Sequence, residues 1–224
     1  MKYQYVFVII ICIAIFYKYM EASAYEVEFV AATKSGKEYL VRNVADKQQA
    51  ADNLDEMNTR FMKLINYYQD EDNFTLFKKF VIKKPKMEAI DDLTEGEAKQ
   101  LNEFAKNIKR LVSNYNPNSL SENVPNSAYT SYSENKGQKI VFCLRSKRTD
   151  KLVDINTMMF VGLHELAHLM THSIGHKPEF WENFRILLRI AIRIGIYNCI
   201  DYNIESKDYC GTKITDSPLK CGDA

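Results

Sequence analysis

The residues of this chain whose types and spacing best suit chemistry are His164, Glu165 and His168, which form the pattern His-Glu-x-x-His. On an α-helix, residues four apart differ by about 6 Å in rise and about 40° in azimuth, so both imidazoles project from one face. Two such nitrogen ligands suit a zinc ion, and a neighbouring glutamate can act on a metal-bound water. The motif therefore predicts a Zn²⁺ site with Glu165 as its catalytic residue.

The segment that carries the motif, residues 155–170, is apolar on almost every side. A helix that is hydrophobic all round is a buried helix. Burying two imidazoles and a carboxylate without partners costs free energy, and a bound cation compensates for that cost. Histidines satisfied by hydrogen bonds in an ordinary core are the alternative, but the complete motif on a buried helix favours the metal.

The third ligand must come from outside the motif, and His172 and His176 compete for the position. His172 continues the four-residue step but moves away along the helix axis, so we expect it on the surface or in a supporting role. Gly175 has the character of the left-handed stop that follows many helices, which would turn the chain back and predicts His176 as the third ligand. Glu179 is the alternative, because catalytic zinc also accepts two histidines and a carboxylate.

Residues 164–181, HELAHLMTHSIGHKPEFW, resemble the active-site segment of WLM/SprT-like zinc metallopeptidases, where a histidine and then an aromatic pair follow the His-Glu-x-x-His helix. A longer run, residues 39–219, resembles predicted metallopeptidases encoded by large DNA viruses, in pieces such as VDINTMMFVGLHELAH and YCGTKITDSPL. The resemblance implies a viral hydrolase with His164, His168 and His176 as zinc ligands and Glu165 as general base. The gap between His168 and His176 is longer than in typical WLM proteins and shorter than in SprT proteins.

Length and composition set the scale of the fold. With 224 residues and 46% hydrophobic content, the chain can bury one sizeable core. The formal net charge of +1 gives no indication of a nucleic-acid partner. We expect an α+β, zincin-like single domain over residues 25–224, with a small sheet and a central metal helix.

Residues 1–24 are predicted to be a membrane segment. An apolar run extends from Tyr5 to Tyr17, and the flanking tyrosines and Lys18 suit a membrane interface. An uncleaved signal-anchor would make a single-pass membrane protein of a virion or host endomembrane. A cleaved signal peptide, with the small residues of Ala22-Ser23-Ala24 at its end, would instead give a secreted or lumenal protein.

The elements around the metal helix follow from hydrophobic periodicity and from turn and capping patterns. Strands are predicted at residues 25–30 and 39–42, and helices at 46–68, at 73–82, from Thr94 to Tyr115 and from Pro178 onward.

A hairpin is predicted just before the metal helix, with strands at residues 128–133 and 138–144 joined by a turn at 134–137. A sheet edge beside a metal helix can hold a substrate backbone by strand addition, and this hairpin is the candidate for that role. A purely structural hairpin is the alternative.

Four cysteines outside the N-terminal segment can form two disulfides, as suits a lumenal domain. They are Cys143, Cys199, Cys210 and Cys221, and three pairings are possible. A bond between Cys210 and Cys221, closing the irregular tail, is the pairing that we favour.

Together these features predict a membrane-tethered zinc peptidase that acts on a protein or peptide substrate. A membrane-anchored structural or binding protein that retains a zinc site is the alternative. A DNA–protein crosslink protease, as the WLM/SprT resemblance suggests, is disfavoured by the apolar N-terminus and the near-zero charge. The sequence does not specify an oligomeric state.

Overall fold

The computed structural model describes residues 2–24, 26–70, 81, 93–125 and 127–223, with the side chains of 2–6, 19–24 and 223 excepted. The helices are α1 (Lys2–Ala24), α2 (Lys47–Gln69), α3 (Glu95–Asn114), α4 (Ile155–Met170) and α5 (Pro178–Arg193). The strands are β1 (Val27–Ala31), β2 (Glu38–Arg42), β3 (Leu120–Glu122), β4 (Tyr132–Glu134), β5 (Lys139–Phe142), β6 (Lys207–Tyr209) and β7 (Thr212–Ile214). The predicted helix at residues 73–82 lies outside the described residues, apart from Val81.

The main sheet has the strand order β1-β2-β3-β5-β4, and β6 pairs with β7 in a separate hairpin. Strands β2, β3 and β5 run parallel, whereas β1 and β4 are antiparallel to their neighbours. The pairs Tyr132↔Val141 and Glu134↔Lys139 set the β4–β5 register, which confirms the predicted hairpin and leaves β4 at the edge of the sheet. The chain is therefore an α+β domain with a small sheet, as predicted.

The helices pack on this sheet through the apolar stripes seen in the sequence. In α2, buried positions such as Leu54, Met57, Phe61 and Leu64 recur every three or four residues and form one face. Helix α3 begins at a capping box in which the Thr94 hydroxyl accepts from the Glu97 N–H while the Glu97 carboxylate accepts from the Thr94 N–H.

Helix α4 lies at the centre and contacts α2, α3 and α5. The Asp154 carboxylate caps its start, accepting from the backbone N–H of Thr157 at 2.9 Å and from the Thr157 hydroxyl at 2.7 Å. Gly162 lets α2 approach closely, because a Cβ there would lie 2.4 Å from the Phe61 ring. Since neighbours surround it, α4 is as buried as its all-round apolar character predicts.

The disulfides are Cys143–Cys210 and Cys199–Cys221, so the favoured Cys210–Cys221 pairing is wrong. Cys210 lies at the β6–β7 turn, which packs against the end of β5 and places its Cα 6.2 Å from that of Cys143. This long-range contact is invisible in the spacing of the cysteines. The two bonds tie the C-terminal hairpin and tail to the sheet and to the segment after α5.

The predicted membrane segment is also wrong. Helix α1 covers most of it, but no helix in the described part of the chain combines the length and apolarity that a bilayer crossing requires. The uninterrupted apolar run from Tyr5 to Tyr17 falls short of the about 20 residues that a spanning helix needs. The predictions of a transmembrane helix, a single-pass localisation and a membrane partner depended on this segment and are wrong as well.

Candidate metal centre

The two histidines of the motif lie one turn apart on the half-exposed face of α4. Their Nε2 atoms are 3.2 Å apart, as the four-residue spacing predicts. Glu165, between them in sequence, projects towards the interior and is only 5% exposed. One helix therefore presents two ring nitrogens to the surface and a carboxylate just beneath it.

His176 reaches the same point from the loop that follows α4. The helix ends at Met170, and Gly175 adopts the left-handed conformation (φ 78°) that reverses the chain. The His176 Nε2 then lies 3.1 Å from that of His164 and 3.2 Å from that of His168. The structure thus brings the three predicted ligands into one cluster.

The chemistry of this donor set fits a zinc ion. Zn–N bonds of about 2.0–2.1 Å in a tetrahedron require nitrogens about 3.3–3.4 Å apart, close to the distances here. Three neutral imidazoles share only three N–H groups, so three Nε2 atoms facing one another cannot all be satisfied among themselves. Burial, with repulsion from the other two histidines, lowers the pKa of His164 to about 3. Burial and the charge of His176 lower that of His168 to about 4, so both rings are held in the neutral form that binds metal.

The other two candidate ligands lie outside the cluster. His172 is exposed, and its backbone N–H donates to Glu179 Oε1 at 3.3 Å. Glu179 Oε2 accepts from the Ser173 hydroxyl at 3.0 Å and from the Ser173 N–H at 3.4 Å. Glu179 therefore holds the loop that leads to His176.

Aromatic residues of α5 form the floor of the cluster. The Phe180 ring is fully buried, with its centroid 4.9, 4.4 and 4.6 Å from those of His164, His168 and His176. Trp181 lies beside His176 at 5.5 Å. The Phe180 ring therefore packs against all three imidazoles from the side of α5.

That cavity has a volume of about 680 Å³ and extends from the three histidines over Glu165. Burial raises the pKa of Glu165 to about 7, and a hydrogen bond from Ser133 opposes the rise. A carboxyl group with a pKa near neutrality suits a residue that must accept and then release a proton. The predicted base and the three predicted metal ligands therefore line the same cavity.

Strand β4 and the turn after it form one wall of the cavity. The Lys136 ammonium, in that turn, donates to the carbonyl oxygens of Thr171 at 2.8 Å and His168 at 3.3 Å. A cation at these last carbonyls of α4 opposes the negative end of the helix dipole. The hairpin is thereby attached directly to the metal helix.

Tyr209 also lines the cavity, and the sequence analysis did not include it among the site residues. Its buried hydroxyl lies 2.6 Å from the Ser131 Oγ, and its ring lines the cavity beside Glu165. Tyr209 follows the motif by more than forty residues. It opens the run YCGTKITDSPL, which resembles the viral proteins, and that resemblance is the signal that could have identified it.

A buried amide network fixes the end of α4. The Thr171 hydroxyl donates to the Ala167 carbonyl at 2.7 Å and accepts from Asn183 Nδ2 at 2.9 Å. Asn183 Oδ1 in turn accepts from Asn107 of α3 at 3.1 Å. Three helices are joined where the chain leaves α4 towards His176.

Comparison with known proteins identifies a family and several viral relatives. The model of the WLM domain matches residues 85–218. An uncharacterized protein of Acanthamoeba polyphaga mimivirus is 34% identical over 195 residues, which cover 87% of this chain and 86% of that protein. An uncharacterized protein of Invertebrate iridescent virus 3 is 45% identical over 69 residues, 30% of this chain and 42% of that protein. The predicted resemblance to WLM proteins of large DNA viruses is confirmed.

Among solved structures, the crystal structure of Wss1 from Saccharomyces cerevisiae aligns with 45% of this chain and 83% of its own, at 19% identity and a TM-score of 0.31.

Proposed function

The chain belongs to the WLM domain family, whose members are zinc-metallopeptidase-like, and on that premise we propose that it is a zinc-dependent peptidase. The observation that carries the proposal is the cluster of three Nε2 atoms 3.1–3.2 Å apart beside a buried glutamate. His164, His168 and His176 hold the metal, and Glu165 is the general base.

The chemistry divides between the metal and the chain. A zinc ion, when bound, acidifies a water molecule and polarises a peptide carbonyl. Glu165 accepts a proton from the attacking water, whose oxygen bonds to the carbonyl carbon. The carbon–nitrogen bond then breaks, and Glu165 delivers the proton to the leaving amine. The Ser133 hydroxyl, which counteracts the rise in the pKa of Glu165, is the group proposed to position the carboxylate for both transfers.

Strand β4 is the proposed holder of the substrate backbone. It is the edge strand of the sheet, pairs with β5 on one side only, and lines the cavity with Tyr132 and Ser133. An extended peptide can add to such an edge as a further antiparallel or parallel strand, using main-chain hydrogen bonds that do not depend on its sequence. A protein or peptide is therefore the proposed substrate class.

The test is hydrolysis of an unfolded protein by the zinc-loaded chain and by Glu165→Gln. We expect Glu165→Gln to keep its zinc and its fold but to lose at least about 100-fold in rate, because general-base catalysis contributes 10²–10⁴-fold. His172→Ala is the matched control, since its side chain lies outside the cluster, and should cleave like the wild type. Equal rates in wild type and Glu165→Gln would overturn the proposal in favour of a non-catalytic zinc-binding protein.

A further inference from the structure

A second cavity, of about 500 Å³, lies on the other side of His164 from the first. The two share Phe160, His164 and Ile214 in their walls, so the cavities adjoin at these side chains beside the metal centre and are together called the cleft. The remaining walls of the second cavity come from α5 and from the segment that follows β7.

The inner wall of this second cavity is aromatic. The Phe184 ring centroid lies 5.2 Å from that of Phe160, 5.3 Å from that of His164 and 6.5 Å from that of Trp181. Phe160 and Phe184 are buried, whereas Trp181 is 44% exposed and faces the opening. Such a surface gains free energy from covering by an apolar group, and aromatic rings add a preference for offset or edge-to-face packing.

The outer wall is fixed by bonds within the tail. Asp216 Oδ1 accepts from Asn203 Nδ2 at 3.1 Å and from the Ser217 N–H at 2.7 Å. Leu219 is buried in the core, and the Cys199–Cys221 disulfide follows directly. The cavity is therefore preformed, which spares a ligand the cost of ordering its walls.

We propose that this second cavity binds a large apolar side chain, aliphatic or aromatic, of the peptide substrate next to the bond that is cleaved. The inference rests on the proposed peptidase function and deepens it by naming the substrate class. The second cavity lies directly beside the metal ligand His164, and this identifies the occupant, because a peptide with its scissile carbonyl at the metal must place a neighbouring side chain close to that cavity. The lining also includes two charged residues, Lys213 and Asp216. Both are exposed and belong to the outer wall, so they do not interrupt the aromatic inner wall.

Ile214 is the proposed specificity-determining residue. It is half-buried on β7 and lines both cavities, so its size affects the space that the second cavity offers next to His164. In an apolar pocket, a difference of one methylene between two substrates changes the ratio of their kcat/KM values by about 10–200-fold.

The experiment maps every bond that the zinc-loaded full chain cleaves in a mixed peptide library, using mass spectrometry. We expect Phe, Tyr, Trp, Leu and Met to be enriched at one fixed position beside the cleaved bonds. Ile214→Trp should fill part of the second cavity and reduce cleavage of those peptides at least tenfold, while peptides with Ala at that position change less than about twofold. Ile214→Ala should shift the preference towards still larger residues.

Ile204→Trp is the matched control, because the same substitution falls on a residue that is 86% exposed in the loop before β6. It should reproduce the wild-type profile, and zinc content checks that each variant is folded. Cleavage without any apolar preference, or equal loss for all peptides in Ile214→Trp at full zinc content, would overturn this inference while leaving the peptidase intact. Failure of the zinc-loaded wild type to cleave any peptide would overturn the peptidase proposal and this inference together.

Discussion

Glu179 illustrates how a residue outside the metal cluster can govern it. Its carboxylate accepts from His172 and Ser173 and so holds the loop that carries His176. We predict that Glu179→Ala weakens zinc binding by about 10–100-fold, the usual cost of losing support around a metal ligand. Competition with a chromophoric chelator measures the affinity.

Glu182→Ala is the matched control, because Glu182 lies on the same helix but bonds to Arg185 at 2.9 Å. The control should bind zinc as the wild type does. Equal affinities for both variants would show that the loop holds His176 without Glu179.

The buried titratable residues predict how the metal-free protein responds to acid. Burial lowers the pKa of His164 to about 3 and of His168 to about 4, from the ordinary 6.5, so the unfolded chain binds these protons more tightly. The contribution of these two histidines to the free energy of unfolding is therefore fully present above pH 6.5 and is lost as the pH falls from 6.5 towards 4. Glu165 acts in the opposite direction, since its pKa is raised to about 7 and the folded state takes up its proton first. The loss from the two histidines is larger than the gain from the one glutamate, so the free energy of unfolding of the metal-free protein should fall as the pH is lowered.

Denaturant midpoints of the chelator-treated protein between pH 7 and 4.5 measure this effect. The double variant His164→Gln, His168→Gln should lose less stability over the same interval. If the denaturant midpoints of the two proteins changed with pH by the same amount, the assigned pKa shifts would be contradicted.

At the level of the elements, the contact between α4 and α2 is the most constrained. A Cβ at Gly162 would lie 2.4 Å from the Phe61 ring, so Gly162→Ala must displace a fully buried side chain. We predict a loss of about 1–3 kcal/mol in the free energy of unfolding, the usual cost of overpacking.

Gly96→Ala provides the matched control, since Gly96 lies in the first turn of α3 with nothing within 4 Å of its added Cβ. This substitution should stabilise the protein by about 0.4–1 kcal/mol by restricting the unfolded chain. Urea denaturation measures both values, and a neutral Gly162→Ala would mean that Phe61 moves aside freely.

Local patterns predicted the elements that depend on neighbours in sequence. The α2 stripe, the Thr94 capping box and the β4–β5 hairpin are each specified within about twenty residues, and the structure contains all three. The spacing of His164 and His168 and the turn at Gly175 likewise act locally, and the structure brings all three predicted ligands together. Their role as zinc ligands stays a prediction.

What the sequence could not predict depends on contacts between distant segments. Tyr209 and Ile214 line the cleft because the C-terminal hairpin packs beside β5, and although their run YCGTKITDSPL resembles the viral proteins, its local pattern does not indicate that contact. The cysteine pairing failed for the same reason. The membrane segment failed differently, because its flanking tyrosines and Lys18 suit an interface while the apolar run between them is too short to cross a bilayer.

For the whole molecule, the Cys143–Cys210 bond holds the wall of the cleft that carries Tyr209 and Ile214. The bond closes a loop with a sequence separation of 67, which in the chain-entropy treatment corresponds to about 4 kcal/mol of stabilisation. We predict that Cys143→Ser with Cys210→Ser lowers the denaturant midpoint and the rate of peptide cleavage while zinc remains bound.

Cys12→Ser is the control, because Cys12 is a free, exposed thiol. It should match the wild type in stability and rate. Full cleavage activity in the Cys143→Ser, Cys210→Ser protein would show that the hairpin keeps its place without the disulfide.

Metal content shows whether the three histidines form a zinc site. It is measured by inductively coupled plasma mass spectrometry on the purified wild type, His176→Ala and His172→Ala. We expect one zinc per chain in the wild type and in His172→Ala, and a large loss of zinc in His176→Ala, whose Nε2 lies 3.1 Å from that of His164. A folded wild type without zinc, or equal zinc in both variants, would contradict this expectation.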